Sequence, residues 1–487
     1  MTKRLAIHQP QQGLYIQGGA GAGKSASIFE PAIYNFLTKG FSGLIYDFKG
    51  RESPLSHCAY NTLRVNGQTI KRQGYNVPEF HYFNMTSPFM STGKINPINP
   101  AYISSKLYAD AAAEVLFKNL DKSAIQKPDF WTNNGINYTA ACIWRLVRLA
   151  QHDPEYAHIC TLPHLVTLML QPIHHVVNFL LQDPEIGPTV ASIKTAYEQQ
   201  AGDQLSGVEA SAQIPISKLY EKHFFYMLTP DGEDEEIPLR INDPARPVVL
   251  CLANHESLKA AISPVLSVII GALINALNDA GAYHKTFLCL DELPTIYIKG
   301  LDVVPATMRS KQVVTMVGVQ EYSQLVRDYG KEEARVIVGN LGNQFFGMTN
   351  DREDAETIAR MFGHKEKLTT STSTNDSGSS SSLSWREKRV LQSTDIMGQP
   401  VGHFAGKVAD GDPPFFYCQF PDGRFHQLTN KPLAPLPNDR YPFPAGVQED
   451  KAEEHAFQQS VYEELVEENF ARINQDIEEL LYAHVSS

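Results

Sequence analysis

The sequence is short of cysteine. Six cysteines in 487 residues stand far apart, at 58, 142, 160, 251, 289 and 418, and no two form a C-x-x-C pair. That spacing excludes a disulfide framework and a zinc ribbon, and it fits reduced thiols in a cytosolic protein. The opening MTKRLAIHQPQQ has no apolar core, so no secretory leader is expected. Long apolar runs are missing as well. The longest, PVLSVIIGALINAL at 264–277, falls short of the roughly 20 residues a bilayer demands and is expected to be a buried core helix of a soluble chain. Basic residues are in deficit: the formal charge is -12, and residues 441–487, with eleven acids and two bases, carry most of it. This excludes a uniformly basic DNA-coating surface but leaves room for a translocase whose cations line a channel.

What the chain does have is a glycine-rich loop close to its first residue. GGAGAGKS at 18–25 follows the apolar run LYIQ and precedes a helical pattern through AIYNFL. Gly18, Gly19, Gly21 and Gly23 let backbone N–H groups wrap a phosphate, which larger side chains would prevent. Lys24 is expected to reach the β and γ phosphates, and the Ser25 hydroxyl to ligate Mg2+. Ala26 follows in the helix start, whose N-terminus faces the same anion. ATP and Mg2+ are the ligands this pattern calls for.

A second carboxylate is needed for the metal, and TFLCLDELP at 286–294 supplies one. Asp291 stands at the end of an apolar strand, placed to bind Mg2+ through water, and Glu292 is placed to deprotonate the attacking water. Gln320 ends the run VVTMVGVQ, where a polar group can sense the γ-phosphate. Arg309, in ATMRSKQ, precedes that strand; it can serve as an arginine finger toward a neighbouring subunit or as a solvated surface residue. The basic stretches RSKQ and IQK are two of several that could line a DNA pore. His174 and His175 have no third ligand nearby in the sequence, and NYT at 137–139 falls within a helical pattern; neither is expected to carry a function.

Apolar strands alternate with helical patterns at GLIYDF, PVVLCL, TFLCL, VVTMVGV and QFFGMT, the mark of a parallel sheet with crossover helices. Between 105 and 228 the pattern is helical, with Ile136, Ala140, Ile143, Trp144 and Val147 at helix spacing. The expected fold is α/β: a nucleotide-binding domain formed by 1–104 and 229–430, with an all-α domain inserted at 105–228. NDRE at 350–353 reads as a capping box with Asn350 as cap, and Gly363 as the end of that helix. TTSTSTNDSGSSSSLS at 369–384 is of low complexity and is expected to be a mobile Ser/Thr-rich loop. VGHFAGKV and PFFYCQF read as a hairpin beyond it. Residues 431–487 form a proline-rich connector and an acidic amphipathic helix with an apolar stripe of Val466, Phe470, Ile473, Ile477 and Leu480.

These elements, in this order, resemble the TraG/TraD-type coupling proteins of type IV secretion and conjugation. The resemblance rests on GGAGAGKS, YDFKGRE (46–52), KINPINP (94–100), DFWTNN (129–134), LDELPTIY (290–297), VGVQEYSQLVRDYG (317–330) and VGNLGNQFFG (338–347), and covers roughly residues 10–430. It implies a RecA-like motor domain and hexamers that couple ATP hydrolysis to the passage of DNA through a secretion channel. It implies that the all-α domain meets DNA or the relaxase complex, and that the assembly works at the cytoplasmic face of the bacterial inner membrane. It maps the family's magnesium and catalytic acids onto Asp291 and Glu292 and its strand-end glutamine onto Gln320. The family's trans-acting arginine maps onto Arg309, and its second-strand motif beside the nucleotide onto Asp47 and Lys49. One departure is plain: members usually begin with transmembrane helices, and this sequence opens at the first motor strand, so membrane association is expected only through a missing segment or a partner. Two other readings remain open: a soluble hexameric DNA translocase unconnected to secretion, and a nucleotide-gated docking platform that hydrolyses slowly. The acidic terminal helix suits the second, by attracting a basic partner.

Overall fold

The computed structural model describes residues 5–49, 54–86, 91–126, 129–232, 234–279, 284–375, 378–437 and 451–483. Gly50–Glu52 of the second-strand motif and residues 438–450 of the proline-rich connector lie outside them. Among the described residues eleven strands form: β1 (Leu14–Gln17), β2 (Ser42–Asp47), β3 (Glu79–Phe83), β4 (Val248–Ala253), β5 (Thr286–Leu290), β6 (Val313–Val319), β7 (Asn343–Phe346), β8 (His364–Asn375), β9 (Gly378–Arg389), β10 (His403–Lys407) and β11 (Phe415–Gln419). Nine of them make one sheet in the order β11-β10-β7-β1-β6-β5-β2-β4-β3. The seven strands from β7 to β3 are mutually parallel, and β10 and β11 close one edge antiparallel.

The parallel strands are buried on both faces, which is why they read as unbroken apolar runs. Alternate residues serve opposite faces. On one side Leu14, Ile16, Ile45, Val249, Cys289 and Met316 pack with the helices Glu30–Thr38 and Pro54–Arg72. On the other, Tyr15, Leu44, Tyr46, Leu250 and Leu288 pack with Val265, Leu266, Ile269 and Leu273 of the helix Lys259–Asp279. That helix is long and apolar enough to cross a membrane, but most of its apolar length is buried within the protein. Between β3 and β4 every element among the described residues is helical, from Lys106–Leu120 to Lys222–Met227. The apolar side chains of these helices belong to the same cluster as the second sheet face, so the two regions share one core.

Three features depart from the sequence expectations. The strand β3 carries no clear sequence signal, because EFHYF lies at the sheet edge and is only partly buried. The Ser/Thr-rich stretch is not a loop: β8 and β9 pair antiparallel from His364↔Arg389 to Asn375↔Gly378. Low apolar content does not forbid a ribbon whose strands satisfy each other's backbone groups locally, and threonine favours extended backbone. The cap of the helix Arg352–Met361 is Asp351 rather than Asn350, its carboxylate accepting from the N–H groups of Glu353 and Asp354. Beyond that helix Gly363 turns the chain at φ +68°, where a side chain is disfavoured. The VGHFAGKV and PFFYCQF runs do form the β10–β11 hairpin.

The last helix, Lys451–Ala483, lays its stripe of Val466, Ile473, Ile477 and Leu480 against the helical region. Polar contacts flank the stripe: Tyr220 donates to Asn474 (3.0 Å), and Lys222 pairs with Glu467.

Candidate nucleotide site

Strand order brings the sequence-predicted groups together. β1, β6, β5 and β2 are neighbours, all parallel, and their carboxyl ends lie side by side. In register, Gln17 pairs with Val319, Leu290 with Val317 and Tyr46 with Leu290. Gly18 and Gln320 follow the first of these pairs, while Asp291 and Asp47 stand level with Gly318, two residues short of Gln320; all four line the row of strand ends at the crevice where open α/β sheets bind ligands.

The loop after β1 is shaped by its surroundings. Gly21 (φ +79°) and Gly23 (φ +94°) take left-handed backbone. A Cβ on Gly23 would meet the Gly402 nitrogen at 3.0 Å, and one on Gly18 would meet Ala22 at the same distance. Gly19 donates to the Met348 carbonyl (2.7 Å), and Gly402 donates to the Ala22 carbonyl (3.0 Å). The antiparallel edge thus braces the loop from outside. Past Lys24 the helix begins with a π-helical turn, Ser25–Phe29, rather than an α-helical one.

Lys24 folds over the loop and donates to the Gly18 carbonyl. Burial lowers its pKa from the ordinary lysine value, opposed by the charges of Glu292 and Asp291. Burial, reinforced by the charge of Asp47, pushes the Asp291 carboxyl up to about 6. Burial also raises Glu292, opposed by the charge of Lys24 and by the neighbouring Gln320. Two buried acids against one buried lysine form a site starved of positive charge, the electrostatic setting a divalent cation satisfies.

Glu292 has φ +60° and ψ +57°, a conformation costly for a residue with a side chain. Its carbonyl is anchored by the Thr295 hydroxyl (2.7 Å), which also meets the Tyr46 hydroxyl (2.6 Å). Asn254 donates to Tyr46 in turn (2.6 Å). Nothing in the sequence signals this chain of contacts, because its members come from separate segments. Gly318 is equally silent in the sequence: a Cβ there would stand 2.8 Å from the Phe29 ring and 3.3 Å from the Asp291 carboxylate.

Asp47 and Lys49 behave differently from each other. The Asp47 carboxylate is buried and accepts from Leu55, from the Ser56 N–H and from the Ser56 hydroxyl, holding the start of the helix Pro54–Arg72. It acts on the site through its charge. Lys49 is exposed beside the site, where its charge reaches Lys24 and Asp291. Arg309 is not in the row. It is exposed in the turn before β6, at the opposite end of that strand from Gln320 and about 20 Å away at strand rise.

Residues able to hold a nucleotide and its metal are in place: Gly18–Ser25 for phosphates, Ser25 and Asp291 for the cation. Among the described residues no cluster of three metal-ligating side chains occurs, so a magnesium ion here would complete its shell with phosphate oxygens and water.

Residues 285–401 match the family model TraG-D_C, described as the TraM recognition site of TraD and TraG. None of the curated proteins matches the sequence significantly. Several solved structures share the fold. The plasmid coupling protein TrwB in complex with ADP and Mg2+ superimposes with a TM-score of 0.61 at 17% identity, over 87% of this chain and 89% of that one. TrwB with a non-hydrolysable ATP analogue gives 0.61 at 18% identity, over 86% and 90%. The unbound bacterial conjugative coupling protein TrwBdeltaN70 gives 0.60 at 16%, over 85% of each chain. Residues 285–401, which carry Asp291, Glu292 and Gln320, are thus similar to the TraM recognition site of TraD and TraG, and most of the chain shares its fold with the conjugative coupling protein TrwB.

Proposed function

We propose that the protein is an ATP-hydrolysing coupling protein that drives DNA, delivered with its relaxase, into a type IV secretion channel during conjugation. The observation that carries the reading is the convergence of Lys24, Asp291, Glu292 and Gln320 from three adjacent strand ends. The likeness to nucleotide-bound TrwB supports it. Lys24 clamps the β and γ phosphates. Ser25 and Asp291 hold the magnesium ion, which when bound neutralises charge on the phosphate oxygens. Glu292 takes the proton of the attacking water, and Gln320 orients Glu292 and relays the loss of the γ-phosphate to β6. Arg309, remote from its own site, serves a neighbour's in a hexameric ring. The assembly works at the cytoplasmic face of the inner membrane.

The test is ATP turnover by the full chain, with and without DNA, across protein concentration. Turnover that DNA stimulates and that rises steeply with concentration is expected, and Lys24→Ala should abolish it. Tight ATP binding with negligible turnover in every condition would favour the docking-platform reading instead.

A further inference from the structure

The segment behind Glu292 is gripped by the helical region that lies between β3 and β4. Residues 293–299 contain one short 3-10 turn, Leu293–Thr295, so most of their backbone groups need partners from elsewhere. Asn119, in the last turn of the helix Lys106–Leu120, supplies them. Its Nδ2 donates to the Tyr297 carbonyl (2.9 Å), and its Oδ1 accepts from the Tyr297 N–H (2.8 Å). Nδ2 also donates to the Val115 carbonyl (2.8 Å), and Oδ1 also accepts from the Ser267 hydroxyl (3.0 Å). The side chain is buried, and both donors and both acceptor positions of its amide are used. A buried amide satisfied so fully fixes one geometry, because a displacement leaves polar groups of both partners unpaired.

Charged neighbours on the same helix add to the grip. The Lys118 ammonium lies 4.9 Å from the centre of the Tyr297 ring and donates to its hydroxyl (3.3 Å). Lys122 donates to the Pro294 carbonyl (3.4 Å) and pairs with Asp328 (2.9 Å). Glu114, one turn before Lys118, pairs with Lys299. A second helix, Tyr322–Tyr329, holds the segment as well. The Tyr329 hydroxyl donates to the Ile296 carbonyl (2.9 Å) and accepts from the Ile298 N–H (3.1 Å). Three successive residues, Ile296, Tyr297 and Ile298, are thus fixed by their backbone groups, directly after the Thr295 that anchors the Glu292 carbonyl.

We propose that Asn119 is a positioning residue for Glu292, so that ATP hydrolysis requires the helix Lys106–Leu120 to be seated on the segment behind the base. The left-handed backbone of Glu292 is a costly conformation that persists only where its surroundings over-determine it. Thr295 ties down its carbonyl, and Asn119 holds Tyr297 two residues further on, which fixes where Thr295 stands. Asn119 hydrogen-bonds to neither the acids nor the glycine-rich loop and acts through this segment. It comes from the stretch between β3 and β4, far in sequence from the site, so the joint makes the orientation of the base depend on how that helical region is packed. This role rests on the function proposed above for Glu292.

Single- and multiple-turnover ATP hydrolysis by the full chain, beside equilibrium binding of a fluorescent ATP analogue, tests it. Asn119→Ala should lower kcat about tenfold or more, the scale on which a misplaced catalytic group loses rate, and leave analogue affinity within about twofold of wild type. The loss should nearly vanish in the Glu292→Gln background, because a residue that acts through the base has nothing left to position there. An unchanged kcat, or the same fold-loss in both backgrounds, would overturn the role and mark the contact as purely structural. Should Asn119→Ala prevent folding, read as lost analogue binding, Lys118→Met takes the cation off the Tyr297 ring at the half-buried rim of the joint. A fall in kcat that disappears in the Glu292→Gln background is then expected, and wild-type kcat overturns the role. Wild type that binds no ATP analogue removes the proposed function and this role with it; wild-type turnover that the variants leave untouched removes this role alone.

Discussion

Gln320 stands beside the carboxylate of Glu292 and favours its ionised form, against the burial that raises its pKa. The end of β5 thereby meets the end of β6, and the group read as catalytic base lies beside the group read as γ-phosphate sensor.

Glu292→Gln should leave ATP affinity within a few-fold of wild type and cut turnover by about a hundredfold or more, the usual scale for losing a general base. Gln320→Ala, which frees the carboxylate without removing it, should give a smaller loss. Single-turnover hydrolysis beside equilibrium nucleotide binding separates the two. Lost ATP binding in Glu292→Gln would mark Glu292 as structural.

Gly318→Ala should destabilise the protein by about 1–3 kcal/mol, because the added methyl has to displace the buried Phe29 ring or the Asp291 carboxylate. A lower urea midpoint, with weaker Mg2+-dependent nucleotide binding, is the expected pattern. An unchanged midpoint would mean that the first helix shifts freely.

Glu30 provides a pH signature. It is buried at the start of the helix Glu30–Thr38, accepts from the Phe425 N–H (3.2 Å), and burial pushes its carboxyl up to about 7. The folded state therefore holds a proton that the unfolded chain releases near its ordinary value of 4.5. In the unfolded state the carboxyl is ionised above that value, so its contribution to stability falls as pH rises from about 4.5 to 7 and is constant beyond. The full effect is roughly 3 kcal/mol. Glu30→Gln should remove this slope. Unfolding free energies of wild type and variant, measured across that window, should diverge toward neutral pH in favour of the variant; parallel curves would contradict the assignment.

Arg309→Ala should spare nucleotide binding and should lower turnover only where subunits assemble. Its distance from its own chain's Lys24 leaves no other route to the phosphate. Turnover measured against protein concentration reads this directly. An equal loss at the lowest concentrations, where the chain is monomeric, would refute a trans role.

Much of the site is legible in the sequence because its chemistry is local. A phosphate loop needs glycines, a lysine and a serine within one contiguous stretch, so GGAGAGKS announces itself. An acid pair at the end of a buried strand does nearly the same for Asp291 and Glu292. The supports are not legible. Thr295, Tyr46 and Asn254 hold Glu292 in its left-handed conformation, two of them from distant segments. Asp47, expected beside the nucleotide, also holds the start of a helix with its carboxylate, which the sequence does not announce. The Ser/Thr stretch misleads because composition reports the cost of burying a segment, whereas a ribbon needs only a partner strand.

By itself the sequence determined most of the element types, the glycine-rich loop, the acid pair at the end of β5 and the apolar stripe of the last helix, since each depends on residues within a few positions of one another. The tertiary structure alone decided that β1, β6, β5 and β2 are neighbours, that Gln320 meets Glu292, that Gly402 braces the loop and that Arg309 lies at the far end of its strand. Those are consequences of strand order, which is set by how both faces of the whole sheet are covered, and no local window of sequence contains it.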